Sequence, residues 1–115
     1  MTAEGDSRVV FRRALERGNA VVAEMTAREL GHISLREALE LTALVARHDR
    51  VRGSRLAARW LERWLGDSCA PMIDDAVVVA ANLAALGGGG HDAAVAALRT
   101  TAARAAKPTG RPRRG

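Results

Sequence analysis

Arg52, Arg55, Arg59 and Arg63 recur every three or four residues, the spacing that stacks side chains into one stripe along an α-helix. Guanidinium groups are permanently charged and present N–H donors in a planar fork, so a row of them suits carboxylate or phosphate. Two readings of the stripe stay open. Asp49, Glu62 and Asp67 lie close in sequence and partly neutralise it, as on an ordinary solvated helix face; alternatively the four arginines form an anion or partner surface. A second cationic element closes the chain, where Lys107, Arg111, Arg113 and Arg114 stand among Pro108, Gly110 and Pro112. Such a polybasic arm touches nucleic-acid phosphates without reading sequence. Four phosphate contacts correspond to a salt slope of about −3.6, and participation of the stripe would about double it.

Other chemistry-bearing residues are scattered. His32, His48 and His91 lie far apart and Cys69 stands alone, so no pair has the spacing of zinc ligands. The four glycines at 87–90 are followed by His91 and Asp92 rather than by the Lys and hydroxyl residue of a phosphate-binding loop; they read as a flexible connector. Asp74 and Asp75 are adjacent and point about 100° apart on a helix, poor geometry for a shared acid and base task. Glu37 with Glu40, and Glu24 with Glu29, read as solvated helix surface, and Cys69 has no cation beside it to lower its pKa. The expectation is a protein that is not an enzyme, with no catalytic residue, cofactor or metal site.

The elements that must carry these residues follow from composition and pattern. The 115 residues allow one domain. Of the net charge of +5, residues 107–115 hold four, while residues 1–106 carry 14 Arg against 13 acids, so the body is almost neutral. Alanine supplies 24 residues, Tyr is absent, and the aromatics are Phe11, Trp60 and Trp64. A core of small and aliphatic side chains suits closely packed helices better than strands. Arg outnumbers Lys 17 to 1, which a GC-rich coding sequence explains as well as function does. The lone cysteine requires no oxidising compartment. The start has two acids and no apolar core for a secretory signal, and the apolar run 76–86 contains Asn82 and is shorter than the roughly 18 residues of a membrane helix. A cytoplasmic setting without a membrane partner is expected.

Six helices are predicted in one domain over 7–106, between a disordered start at 1–6 and a disordered basic tail at 107–115. Ser7 caps the first, which places Phe11 and Leu15 inward and ends at Gly18. The second runs over 19–30, with Val21, Val22, Met25 and Leu30 as its apolar side, Glu24 paired to Arg28, and Gly31 as its stop. Ser34 and Glu37 form a capping box for the third, which buries Leu35, Leu39, Leu41, Thr42, Val45 and Ala46. A turn over 47–54 precedes the fourth, where Leu56, Trp60 and Trp64 with Ala57, Leu61 and Leu65 line the buried face opposite the arginines. The fifth opens on a first turn with Pro71, Asp74 and Asp75; the run 76–86 that follows is apolar nearly all round and so is expected to be central and largely buried, a short strand at Val77–Val79 being disfavoured by the alanine-rich continuation. The sixth, after Asp92, turns Val95, Leu98 and Ala102 inward. Leu35, Glu37, Ala38, Leu39 and Ala43 recur as Ile73, Asp75, Ala76, Val77 and Ala81, an offset of 38 that also carries Trp60 onto Leu98; a helix-pair repeat is therefore an alternative to three unrelated hairpins.

The segments RGNAVVAEMTAREL, SLREALEL and AARWLERWL, within 17–65, resemble short helical proteins of GC-rich actinobacteria that share an Arg-Gly-Asn helix start and an Arg-Trp-Leu helix. No activity is assigned to them, so the resemblance implies a bacterial cytosolic protein and transfers no site. The fold expected is all-α, a compact array of antiparallel hairpins. The function expected is a non-enzymatic protein-interaction module whose partner is another protein; the alternative is a weak, sequence-independent nucleic-acid-binding accessory protein using the tail and the arginine stripe.

Overall fold

A computed structural model describes residues 3–67 and 73–106. Cys69 with its neighbours at 68–72 and the basic residues Lys107, Arg111, Arg113 and Arg114 lie outside the described residues. The described chain is all helical: α1 (Ala3–Arg17), α2 (Ala20–Leu30), α3 (Leu35–His48), α4 (Arg50–Asp67), α5 (Ile73–Ala85) and α6 (His91–Ala106). No helix among the described residues is long and apolar enough to cross a membrane.

The stop and start signals work as their chemistry dictates. Gly18 and Gly31 follow α1 and α2 with φ of 75° and 76°, a left-handed conformation that costs glycine no Cβ clash. The Asn19 side chain accepts from the Val22 N–H at the start of α2. At α3 the Glu37 N–H donates to Ser34 Oγ at 3.0 Å while the Ser34 N–H donates to Glu37 Oε1 at 2.8 Å, the reciprocal capping box.

Helices α3, α4, α5 and α6 close a ring in which each packs on its two neighbours, α3 against α6 and α4 against α5 as well as within their hairpins. Inside the ring lie Leu39, Trp60, Trp64, Val79, Leu83, Leu86 and Leu98. The α1–α2 hairpin is added on the flank of α3, where Phe11, Ala14 and Ala23 meet Leu41 and Val45. The whole is a slab of 39 × 38 × 19 Å, two helix diameters thick.

The α3–α4 hairpin has the tightest connection. One residue, Asp49, joins the helices; its N–H donates to the Val45 carbonyl, and its carboxylate accepts from the Arg52 N–H at 3.1 Å. The turn predicted over 47–54 is thus reduced to a single residue, with Gly53 buried inside α4. A Cβ placed on Gly53 would stand 2.5 Å from the Ala46 Cα, so this glycine serves close helix approach rather than a bend. Further along, the buried Trp60 indole N–H donates to the Leu35 carbonyl at 2.8 Å.

Several expectations are corrected. Helix α1 begins at Ala3, before the Ser7 cap, and the Ser7 hydroxyl donates to Glu29 at 3.3 Å. On α2 the buried residues are Ala23 and Thr26, while Val21 and Met25 are exposed; Thr26 is satisfied by donating to the Val22 carbonyl at 2.8 Å, so a threonine can occupy the inner face. Helix α5 is not central. It buries Val79 and Leu83, but Ile73, Val77 and Val78 are 81%, 61% and 59% exposed, because a slab two helices thick leaves every helix an outer face. Leu65 is likewise 40% exposed. Residues 87–90 form successive hydrogen-bonded turns, Gly88 N–H to the Ala85 carbonyl and His91 N–H to Gly88, closed by His91 Nδ1 lying 2.6 Å from the Leu86 carbonyl. The 38-residue offset matches the starts of α3 and α5, and Trp60 and Leu98 are both buried, but Leu35 and Leu39 are buried where Ile73 and Val77 are exposed.

Gly53→Ala is expected to destabilise the protein by about 2 kcal/mol, since overpacking a fixed helix contact outweighs the gain in helix propensity. Gly66→Ala, in the same helix with nothing within 4 Å of a new Cβ, is expected to be neutral or stabilising by up to about 1 kcal/mol. Urea denaturation of the two variants gives the comparison.

Candidate anion-binding groove

The α3–α4 hairpin sets how α4 is rotated. With Gly53, Ala57, Trp60 and Trp64 facing inward, helical spacing turns Arg52, Arg55 and Arg59 sideways toward α2. There they line a groove of about 480 Å³ whose far wall is Glu24, Ala27 and Arg28 of α2. Its floor is apolar, made of Ile33 from the α2–α3 loop, Leu41 from α3 and Leu56 from α4.

Three of the four stripe arginines therefore meet in one place, joined by Arg28 from another helix. Arg63 does not reach it and pairs with Asp67 at 3.5 Å. Nor does the stripe lie opposite α2 as a free face: Arg52 crosses to α2 and pairs with the Glu24 carboxylate. That hydrogen bond, with the Glu24 charge behind it, raises the Arg52 pKa. Glu24 is the more buried of the two, 16% exposed against 48%, so it holds one guanidinium at the groove wall. The expected Glu24–Arg28 pair within α2 gives way to this longer-range contact, and Arg28, Arg55 and Arg59 remain exposed around the groove. Asp49 caps α4 through the Arg52 N–H, and its charge also favours the protonated Arg52 side chain.

Two of the glutamates expected as solvated surface act as bolts between helices. Glu40 of α3 accepts from Arg99 of α6 through both oxygens, at 2.7 and 3.0 Å, and from Arg36 at 3.0 Å. Hydrogen bonding to Arg99, aided by Arg36, holds its pKa below the ordinary carboxylate value against the opposing effect of burial, and raises that of Arg99. Glu37 pairs with Arg8 of α1. Burial works against its ionised form, but Arg8 and the Ser34 N–H outweigh it, so its pKa is also lowered.

His32 and His48 lie exposed near helix ends, and Asp74 and Asp75 sit exposed in the first turn of α5, where acids complement the helix dipole. Among the described residues no three His, Cys, Asp or Glu side chains gather as a metal ion would require. Sequence reasoning missed Arg28 and Glu24 as groove residues because their four-residue spacing is also that of a local pair, and nothing in the pattern says that α2 faces α4. Val21 and Met25, expected to point inward, are exposed beside Glu24 and Arg28, which helical spacing places on the same side of α2. Compared with protein-family models, curated proteins and solved structures, the chain matches none.

Because the folded-state pKa values of Glu37 and Glu40 are depressed, the unfolded chain binds more protons as pH falls through the ordinary carboxylate range. Stability is therefore expected to be fully present above that range and to fall as pH drops through it toward the folded values. Glu40→Gln is expected to cost about 1 kcal/mol at neutral pH and to flatten the acid limb, as read by urea midpoints between neutral and acid pH.

Proposed function

We propose that this chain is a non-enzymatic protein-interaction module that receives an acidic, partly apolar segment of another protein in the groove between α2 and α4. One observation carries the reading: Arg28, Arg55 and Arg59 ring an apolar floor of Ile33, Leu41 and Leu56 while Arg52 is held by Glu24. Forked donors over aliphatic surface recognise a ligand that brings carboxylates and alkyl groups together, and Arg is the cation that protein interfaces favour. Val21 and Met25, exposed beside Glu24 and Arg28 on α2, extend the apolar rim. The actinobacterial resemblance of the 17–65 segments supports a bacterial, cytoplasmic setting.

A nucleic-acid partner fits this groove less well. Its phosphates would leave the alkyl floor uncovered and would meet the Glu24 carboxylate, and the body of the chain is close to neutral in charge, which gives little long-range steering.

The test is fluorescence anisotropy of the full chain with three labelled probes: a short helical peptide bearing Glu and Leu on opposite faces, its Gln-for-Glu counterpart, and a single-stranded DNA oligomer. The acidic peptide is expected to bind and its Gln counterpart to bind at least about tenfold more weakly, with Arg55→Gln/Arg59→Gln losing about tenfold for the acidic peptide. DNA binding that is tighter than peptide binding and equally sensitive to Arg55→Gln/Arg59→Gln contradicts the proposal and favours the nucleic-acid reading; no binding of the acidic peptide also contradicts it.

A further inference from the structure

The outer face of α4 and α5 carries a second surface, which borders the groove at Arg55. On α4 the residues Ser54, Ala58, Leu61 and Leu65 follow the alternating four- and three-residue spacing of a coiled-coil seam; on α5 Ile73, Val77, Ala80 and Ala84 do the same. The two helices are antiparallel neighbours, and a shallow furrow of about 230 Å³ runs between them, touching Ser54, Ala58 and Leu61 on one side and Ala80 and Ala84 on the other. The exposure of Ile73, Val77 and Leu65 is 81%, 61% and 40%, so the seam is uncovered at one end by its bulkiest members.

The size of the side chains changes along this face. Leu65, Ile73 and Val77 crowd the end next to the α4–α5 connection, whereas Ser54, Ala58, Ala80 and Ala84 occupy the other end and the furrow. A surface that is bulky at one end and recessed at the other complements itself when a copy is turned end for end. The charges agree with that operation. A two-fold axis crossing α4 close to Ala58 and Arg59 sets Arg55 of one copy opposite Glu62 of the other, twice, and both residues are exposed beside the seam. A heterologous partner has no reason to satisfy both conditions, while cyclic two-fold pairing is the commonest closed symmetry and requires them.

We infer that the α4–α5 face is a self-association surface, on which a second copy of this chain packs antiparallel to form a two-fold dimer with a four-helix interface. The seam is about 16 Å long and two helices wide, which buries on the order of 1,000 Å² in total, the lower end for specific interfaces. The dimer is accordingly weak and concentration-dependent, half formed on the order of 10 to 100 µM. Two copies then present two arginine grooves, so a partner with repeated acidic segments gains by multivalency.

Sedimentation equilibrium of the full chain over a range of about 5 to about 500 µM tests this by mass action. The expected result is a weight-average mass that climbs from the 12.2 kDa chain mass toward twice that value. Val77→Glu, at a position exposed in the monomer and so compatible with folding, is expected to weaken the dimer at least about tenfold, with circular dichroism at low concentration unchanged. Glu62→Arg sets like charges opposite each other and is expected to weaken it about tenfold, whereas Arg55→Glu/Glu62→Arg restores the opposite charges and recovers most of the loss. A chain that stays monomeric over the whole range, or a dimer unmoved by Val77→Glu, overturns the proposal. A double variant no better than Glu62→Arg overturns the antiparallel arrangement.

Discussion

The close approach of Gly53 to Ala46 is the constraint on which the rest of the structure depends. With a single residue between α3 and α4, the two helices have no slack in their connection, and the last turn of α3 must touch the first turn of α4. Only a residue without Cβ permits that on the α4 side. The Trp60 indole, donating to the Leu35 carbonyl at the far end of the hairpin, fixes the same rotation from the other end, since a buried indole N–H without an acceptor would cost far more than the bond contributes. Once α4 cannot turn, its three outward directions are decided together: indoles into the ring, guanidinium groups toward α2, and the Ala58, Leu61 and Leu65 seam toward solvent.

Ion pairs then register the remaining helices on this hairpin. Arg8 to Glu37 ties α1 to α3, Arg52 to Glu24 ties α4 to α2, and Arg99 to Glu40 ties α6 to α3. Each lies at the surface and stabilises modestly. Their effect is on orientation, because Ala-rich faces present few distinctive shapes and a helix packed through alanines alone could slide or rotate at little cost. The abundance of Arg therefore has structural consequences even if base composition caused it: a fork can hold two carboxylate oxygens at once, as Arg99 does.

Much of this architecture was legible in the sequence. All six helices, the glycine stops at Gly18 and Gly31, the Ser34–Glu37 box, and the buried Phe11, Trp60, Trp64, Leu98 and Ala102 follow from caps and spacing. What was not legible depends on which helix meets which. The apolar run of α5 looked central because periodicity reports hydrophobicity and not the number of layers; in a two-layer slab the same run becomes an uncovered face. Thr26 and Ala23 displaced Val21 and Met25 from the inner side of α2 because close packing against α1 favours small residues over large ones. The stripe of Arg52, Arg55 and Arg59 was visible, but its partner wall was not, since Glu24 and Arg28 satisfied a local rule that concealed their longer-range role.

Hydrogen–deuterium exchange of the native chain, followed by mass spectrometry, tests the central claim most directly. If the α3–α4 hairpin is the fixed frame to which the other helices are bolted, amides of α3 and of α4 from Gly53 to Trp64 exchange slowest, through global unfolding, while α1 and α2 open earlier as a separate unit. Protection in α1 and α2 equal to or exceeding that in α3 and α4, or fast exchange around Gly53, would contradict it.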